Sequence, residues 1–415
     1  MKRNVLIVGA GGVAAVSAHK FAQNNDLFGN IYLASRTLEN CKKILESIEE
    51  KKSYKISDNK IQALKIDAFD ICANIKLLRD LNIKIVVNVA SAFCNMSILE
   101  SCIGADAAYI DTAIHEDPDK VCEDPPWYAN HEWKKKEICR QKNITAILGC
   151  GFDPGVVNAY AAFAKKHLFD TIDTIDIMDV NAGGHGKYFA TNFDPEINFR
   201  EFHKVWTWID RKWMCFDVHS KKMFYDFPEV GRQPLYLTGH DELHSLSKNI
   251  DANSIRFWMG FSDHYINCFT VLKNIGLLSE RPVKTAEGLE VIPLKVVKAC
   301  LPDPKTLAPH YTGKTCIGDL IAGYKDGKKK EVFIYNLCDH KKCYQEVGSQ
   351  AISYTAGVPP VAAAALIANG IWDVKKMVNV EELDPDPFLE ALNKMGLSSE
   401  IIEPESLLDM REIKQ

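Results

Sequence analysis

The feature that most narrows the fold of this chain lies in its first fifteen residues. Asn4-Val5-Leu6-Ile7-Val8 is a largely apolar run that breaks directly into Gly9-Ala10-Gly11-Gly12-Val13-Ala14, which reads G-x-G-x-x-A. A helix-compatible stretch follows to about Gln23. A buried strand, a glycine turn and a helix in that order form a dinucleotide-binding fingerprint. Gly9 permits the tight turn, Gly11 lets the backbone approach a pyrophosphate, and Ala14 lets the helix pack close to the strand. The pyrophosphate then sits over the first turn, at Gly11, Gly12 and Val13, where free N–H groups and the helix dipole favour negative charge. The alternative is a glycine-rich turn that binds nothing.

The end of the second apolar strand, Ile31-Tyr32-Leu33-Ala34, bears on which dinucleotide it is. An Asp or Glu here usually holds the ribose hydroxyls of NAD. This chain has Ser35-Arg36-Thr37 instead, and its first acid is Glu39, in the next helix. Arg36 offers a planar cation suited to a phosphate monoester, and Ser35 and Thr37 add hydroxyl donors. The cofactor expected is NADP(H), unless Arg36 stacks on the adenine or faces solvent.

Strand-like segments at 4–9, 31–35, 61–67, 83–90, 107–112 and 144–149 alternate with helical patterns at 12–24, 38–50, 70–80, 95–103 and 129–142. Buried Val/Ile-rich strands in that rhythm predict an α/β, Rossmann-type, doubly wound parallel sheet over residues 1–156. Right-handed crossovers bring the strand C-termini to one edge. Asp67-Ala68, Val89-Ala90-Ser91, Asp111-Thr112 and the turn Gly151-Phe152-Asp153-Pro154-Gly155 all fall at that edge, where a ligand crevice is expected. From about 170 the pattern changes. Extended segments at 172–180, 287–299 and 330–337 are joined by long aromatic-rich connections, 186–240 among them. Residues 157–350 are read as an inserted α+β domain that supplies substrate contacts and a dimer interface. Residues 351–415 are read as helices returning to the nucleotide domain, first through the alanine-rich run after Pro359-Pro360 and then through 385–396.

A net charge of −5 argues against a nucleic-acid surface. Met1-Lys2-Arg3 leads straight into the first strand with no signal-like stretch, and no apolar run reaches the roughly 18 residues of a membrane span. Thirteen scattered cysteines suit free thiols in a reducing cytosol, so the expected setting is cytoplasmic. Cys338-Asp339-His340-Lys341-Lys342-Cys343 lacks the second ligand pair of a zinc site and is read as a loop or strand end, so no metal is expected.

The fingerprint, Tyr109-Ile110-Asp111-Thr112, the turn 151–155 and the helix after Tyr354-Thr355-Ala356-Gly357 together resemble the saccharopine dehydrogenase family. The segments 189–201, 237–246 and 346–355 resemble its carboxynorspermidine/carboxyspermidine dehydrogenase branch. That resemblance implies a homodimer that joins a diamine, 1,3-diaminopropane or putrescine, to L-aspartate 4-semialdehyde. The resulting imine would be reduced by NADPH, in polyamine biosynthesis. True saccharopine chemistry with lysine, or an NADP(H)-binding protein without turnover, are the alternatives.

Such substrates need a cation for the carboxylate and acids or carbonyls for the ammonium groups. Arg200 fits the first role, Glu196 and Glu201 the second, and Asn192 and Asn198 are neutral donors. Asp241 and Glu242 are a second acidic pair that would bind the distal ammonium or carry protons, or else begin a helix. Phe257 and Trp258 would stack on a cationic amine or lie in the core. Asp153, Asp111 and His185 are candidates for proton handling. Asp153 is equally suited to capping a helix, and His185 sits in a glycine loop able to close over substrate. A covalent role for Cys150 is not expected.

Overall fold

The structure is a computed structural model that describes residues 2–117, 130–200 and 204–403. The amino-terminal part alternates as the sequence predicts. It runs β1 (Asn4–Val8), α1 (Gly12–Gln23), β2 (Ile31–Ser35), α2 (Leu38–Glu50), β3 (Gln62–Lys65), α3 (Ile71–Asp80), β4 (Ile83–Asn88), α4 (Asn95–Ala105), β5 (Ala108–Asp111), α5 (Asn130–Trp133), α6 (Lys136–Gln141) and β6 (Ala146–Leu148). Every pairing in this sheet is parallel. Helices cover both faces, which is why Val5, Leu6, Ile7 and Val8 are all buried rather than alternating. Each such side chain contributes about 1.5–3 kcal/mol on leaving water.

The second part begins with α7 (Val156–Phe163) and β7 (Thr171–Asn181) and continues through α8 (Pro195–Arg200). The stretch 186–240, expected as connection, instead contains β8 (Val205–Ile209), β9 (Lys212–Phe216), β10 (Lys222–Phe227) and β11 (Gly231–Thr238). Their aromatic residues are cross-strand pairs of antiparallel ribbons, such as Trp208 opposite Trp213. Then come α9 (Glu242–Asn249), β12 (Ala252–Gly260), α10 (Asp263–Asn274), β13 (Val283–Lys284), β14 (Glu290–Val291) and α11 (Pro293–Cys300). The extended reading of 287–299 therefore holds only at β14 and fails from Pro293, which opens a helix at its first position, where its missing N–H costs nothing. The long strands β15 (Lys314–Lys325) and β16 (Lys328–Asp339) complete the centre of a mixed sheet, ordered β10-β11-β12-β7-β15-β16. Period-two alternation in β7 divides its side chains between two cores. Ile175 and Ile177 join the large core shared with α7, and Met178 and Val180 join one with Tyr225 and Phe333.

The chain closes with α12 (His340–Val347), α13 (Ala351–Gly357), α14 (Pro359–Ala368), β17 (Met377–Asn379), α15 (Pro385–Lys394) and β18 (Glu400–Ile402). The tail is more than helices: β17 extends the first sheet beside β6, to give the order β17-β6-β5-β4-β1-β2-β3, and β18 extends the second beside β16. The span Ala351–Ala368, with mean hydropathy 1.5, is long and apolar enough to cross a membrane, contrary to the sequence reading. It is 78% buried inside the fold and is broken at Val358 between α13 and α14. It packs on α1 so closely that a Cβ at Gly357 would lie 2.7 Å from the Val16 Cβ, and Ser17 Oγ donates to the Gly357 carbonyl at 2.8 Å.

Candidate active site

One cavity of about 840 Å³ lies along the C-terminal edge of the parallel sheet and runs under the second sheet. Its first half is built by the strand-end loops. Gly9 has φ +127°, and a Cβ there would meet the Val89 carbonyl at 2.8 Å, so the β1 and β4 loops touch only because this residue is glycine. At Gly11 a Cβ would have nothing within 4 Å, which leaves open space above the turn. Among the described residues no side chain caps α1 at Gly11, so no cap competes for its first N–H groups. Val13, Ser35, Arg36, Asp67, Ala68, Val89, Ala90, Ser91 and Thr112 continue the wall. Arg36 is exposed at the end of β2. Glu39, the nearest acid in sequence, turns to Lys42 at 3.9 Å.

Three residues expected at the cofactor are not on this wall. Thr37 begins α2, and its N–H donates to Ser35 Oγ at 3.3 Å. Asp111 is buried and ties two strand ends together, its Oδ1 accepting from the Gly149 N–H at 2.6 Å; burial and Glu132 hold its pKa well above the usual range. Phe152 is buried edge-on to Tyr160.

The cavity as a whole is acidic. Asp67, Glu116, Asp117, Asp153, Asp179, Asp194 and Asp241 line the cavity, against Arg36 and Lys204 as the Lys/Arg residues on it among the described residues. Such an imbalance favours a cationic ligand. Asp179, on β7, has its pKa pushed up to about 6 by burial and by Glu242, against the opposing pull of His240 and of a hydrogen bond with Asp153. Asp241, whose Oδ2 accepts from the Ile114 N–H at 3.5 Å, is pushed up to about 7 by burial, Glu116 and Glu242. Asp153 does not cap a helix: Gly155 is the cap of α7, and its N–H donates to Asn158 Oδ1 at 2.8 Å. Asp153 instead faces the cavity beside Pro154.

Several expected substrate residues point elsewhere. Glu196 pairs with Lys298 at 3.4 Å, and Asn198 is buried, its Oδ1 accepting from the Tyr265 hydroxyl at 3.1 Å. Both join α8 to its neighbouring helices instead of lining the cavity. The Arg200 side chain and Glu201 lie outside the described residues. Asn192 does line the cavity, and its Oδ1 accepts from the Tyr311 hydroxyl at 2.6 Å. His185 stands apart from it, with Nδ1 accepting from the Lys187 N–H at 3.1 Å. Burial and Lys187 lower its pKa. Glu242 is fully buried and bonds His240 Nδ1 at 2.6 Å. Phe257 lies beneath His240 and Trp258 donates to Asp176 Oδ1 at 2.8 Å, so neither stacks on a ligand. The sequence reading missed Asp179, Lys204, Trp206, His240, Met259 and Ser353, all on the wall.

In the Cys338–Cys343 segment, Cys338 and Asp339 end β16 and His340 opens α12: Asp339 accepts from the Lys341 and Lys342 N–H groups, and His340 bonds Asn181 at 2.9 Å. A trio not foreseen from sequence, His115, Asp117 and His131, brings its polar atoms within 4.8 Å of one another beside the cavity.

Residues 5–147 match the saccharopine dehydrogenase NADP binding domain, and residues 151–397 match the saccharopine dehydrogenase C-terminal domain. The chain belongs to the saccharopine dehydrogenase family. It is an oxidoreductase with NADP(H) as cofactor, and the open cradle at Gly11 and the cation at Arg36 fit that group. Among relatives of this family, the carboxynorspermidine synthase of Vibrio alginolyticus is 47% identical over 402 residues, covering 97% of each chain. The carboxynorspermidine synthase of Vibrio cholerae is 45% identical over 404 residues, again 97% of each. The carboxyaminopropylagmatine dehydrogenase of a Synechocystis species is 43% identical over 395 residues, 95% of this chain and 96% of that one. The apo saccharopine dehydrogenase (L-Glu forming) of Saccharomyces cerevisiae shares the fold with a TM-score of 0.72 at 14% identity, over 97% of this chain and 100% of that one.

Proposed function

We propose that this enzyme condenses L-aspartate 4-semialdehyde with a diamine and reduces the resulting imine, forming carboxynorspermidine or carboxyspermidine in polyamine biosynthesis. The acidity of the cavity carries this reading: among the described residues seven carboxylates line it against two Lys/Arg residues. Bound NADPH supplies the hydride. Arg36 and Ser35 hold its 2′-phosphate, and Gly11, Gly12 and Val13 hold its pyrophosphate. Lys204 receives the semialdehyde carboxylate. Asp179 and Asp241 receive ammonium groups, and Trp206 and Met259 flank the alkyl chain. Held this way and protonated at nitrogen, the imine carbon needs only position to accept hydride. The relatives' names support both the carboxyaminopropyl product and an amine that varies between members.

The same reading divides the chain into an NADP-binding unit over 1–156, a substrate and dimerisation unit over 157–350 and a returning tail over 351–415. It places a homodimer in the cytoplasm. The free cysteines, none of them in a disulfide among the described residues, support a reducing setting. A panel of NADPH oxidation assays tests the function, pairing aspartate semialdehyde with 1,3-diaminopropane, putrescine and agmatine, and aminoadipate semialdehyde with lysine. Turnover with a diamine is expected; turnover with lysine alone would move the assignment to saccharopine chemistry.

A further inference from the structure

We propose that His240 is the acid–base residue of imine formation and that Glu242 is its positioning residue. The proposal rests on the reductive condensation above for its substrates, but the pair itself is a property of the fold.

His240 lines the cavity, whereas Glu242 is fully buried behind it. Glu242 Oε2 lies 2.6 Å from His240 Nδ1. Phe257 stacks against the imidazole with ring centroids 4.1 Å apart and planes within 10°. One contact fixes the ring's plane and the other its rotation. A carboxylate at Nδ1 keeps the proton on that nitrogen and makes Nε2 the working one. Among the described residues, Asp241 from its own segment and Asp179 from β7 act on the charge of the ring beside Glu242, and Glu116, Asp153 and Asp319 act in turn on those carboxylates. A cationic imidazole is thus stabilised from several sides, as a residue that accepts and returns a proton requires.

The steps balance with this one residue. The incoming ammonium gives a proton to His240 Nε2. The freed nitrogen attacks the aldehyde carbon, and the carbonyl π pair becomes the carbinolamine oxygen, which takes a second proton from that nitrogen. The imidazolium then protonates the hydroxyl as the C–O bond breaks. The nitrogen lone pair forms C=N, water leaves, and a protonated imine remains. That protonated imine is the form that bound NADPH would reduce to the secondary amine.

His240→Gln and Glu242→Gln, assayed as full-length enzymes with wild-type NADPH binding as the test of folding, separate the roles. His240→Gln is expected to lower kcat for condensation about 10²–10³-fold, within the range of general acid–base catalysis. The primary isotope effect from 4-deuterated NADPH is expected to fall toward one as dehydration becomes limiting. Glu242→Gln is expected to lower kcat about 10-fold and move the histidine ionisation to lower pH. Histidine 15N spectra of the wild type are expected to show one strongly downfield Nδ1–H proton, lost in both variants. A His240→Gln kcat within about 5-fold of wild type, or a rise in amine KM alone, would overturn the catalytic role. Absence of the Nδ1–H signal would overturn the pair. If no amine–aldehyde pair is turned over while that signal is present, the substrate reading has failed and the catalytic role falls with it.

Discussion

A Cβ placed on Gly12 would lie 2.7 Å from the Ser353 hydroxyl, so the glycine turn under the cofactor is roofed by α13 from the far end of the chain. Gly12→Ala therefore disturbs the turn through the tail. The contact is with the rotatable end of one side chain, the Ser353 Cβ standing 3.5 Å off, so the cost falls at the low end of the about 1–3 kcal/mol of overpacking, and part of it should appear as weaker NADPH binding. Ser353→Gly removes the obstructing atoms. The double variant is expected to regain most of the affinity that Gly12→Ala loses, measured by fluorescence titration. No recovery would mean that the alanine acts on the cofactor itself.

Arg36 stands exposed where β2 ends, with Glu39 committed to Lys42. A guanidinium–phosphate pair with charge-assisted hydrogen bonds contributes about 1.5–3 kcal/mol. Arg36→Ala should weaken NADPH about 10- to 100-fold while NADH changes by less than about 3-fold. Equal losses for both cofactors would show that Arg36 does not read the phosphate.

The nucleotide half was legible because its signals are local. Val5 to Val8, Gly9 and Gly11 act through the pleat, the turn and the helix start, all within ten residues of one another. Thr37, Asp111 and Phe152 were misplaced by the same local logic, because strand-end position does not say which way a side chain turns. The substrate half depends on contacts between distant segments. Glu196 looked available until α11 brought Lys298 to it, and Asn198 until α10 brought Tyr265. Asp179 did leave a trace, as a charge in the otherwise apolar run Ile177-Met178-Asp179-Val180, yet Asp176 leaves the same trace and is spent on Arg256 at 2.6 Å. Pleat parity puts the two on opposite faces of β7, and the parallel register of β12, which sets Arg256 opposite Asp176, shows which of them is paired.

Lys20 carries the join between the nucleotide unit and the tail. Its Nζ is buried in α1 and donates to the Tyr354 hydroxyl and the Met395 carbonyl, each at 2.7 Å, and pairs with Glu346. Burial lowers its pKa more than Glu346 raises it. Breaking a buried pair costs about 3–5 kcal/mol, and Lys20→Ala also opens a cavity. A comparable loss is expected in urea unfolding. Glu346 is more exposed, so Glu346→Gln should cost about 1–2 kcal/mol once solvent screening is allowed for. If Glu346→Gln proved the more damaging, the ion pair rather than the neutral bonds to Tyr354 and Met395 would be holding the tail.

Asp241 ties stability to pH in a sign opposite to an ordinary surface carboxylate. Burial first, then Glu116 and Glu242, lift its pKa from 3.8 to about 7. Between about pH 4 and 7 the folded chain keeps a proton that the unfolded chain has released, so stability from this group falls as pH rises through that window. A tenfold difference in proton affinity between the two states corresponds to about 1.4 kcal/mol. Asp241 lines the open cavity, where solvent screens part of this effect, so Asp241→Asn is expected to gain about 1–3 kcal/mol over wild type at pH 8 and almost nothing at pH 4. Part of the wild-type slope should persist in the variant, because Asp179, pushed up to about 6, follows the same rule. The same substitution should raise the amine KM at least 10-fold, since an amide holds an ammonium group poorly. Urea unfolding at both pH values and steady-state kinetics separate the effects. A variant no more stable than wild type at pH 8 would show that this carboxylate is well solvated, and would remove it as the ammonium's partner in a dry pocket.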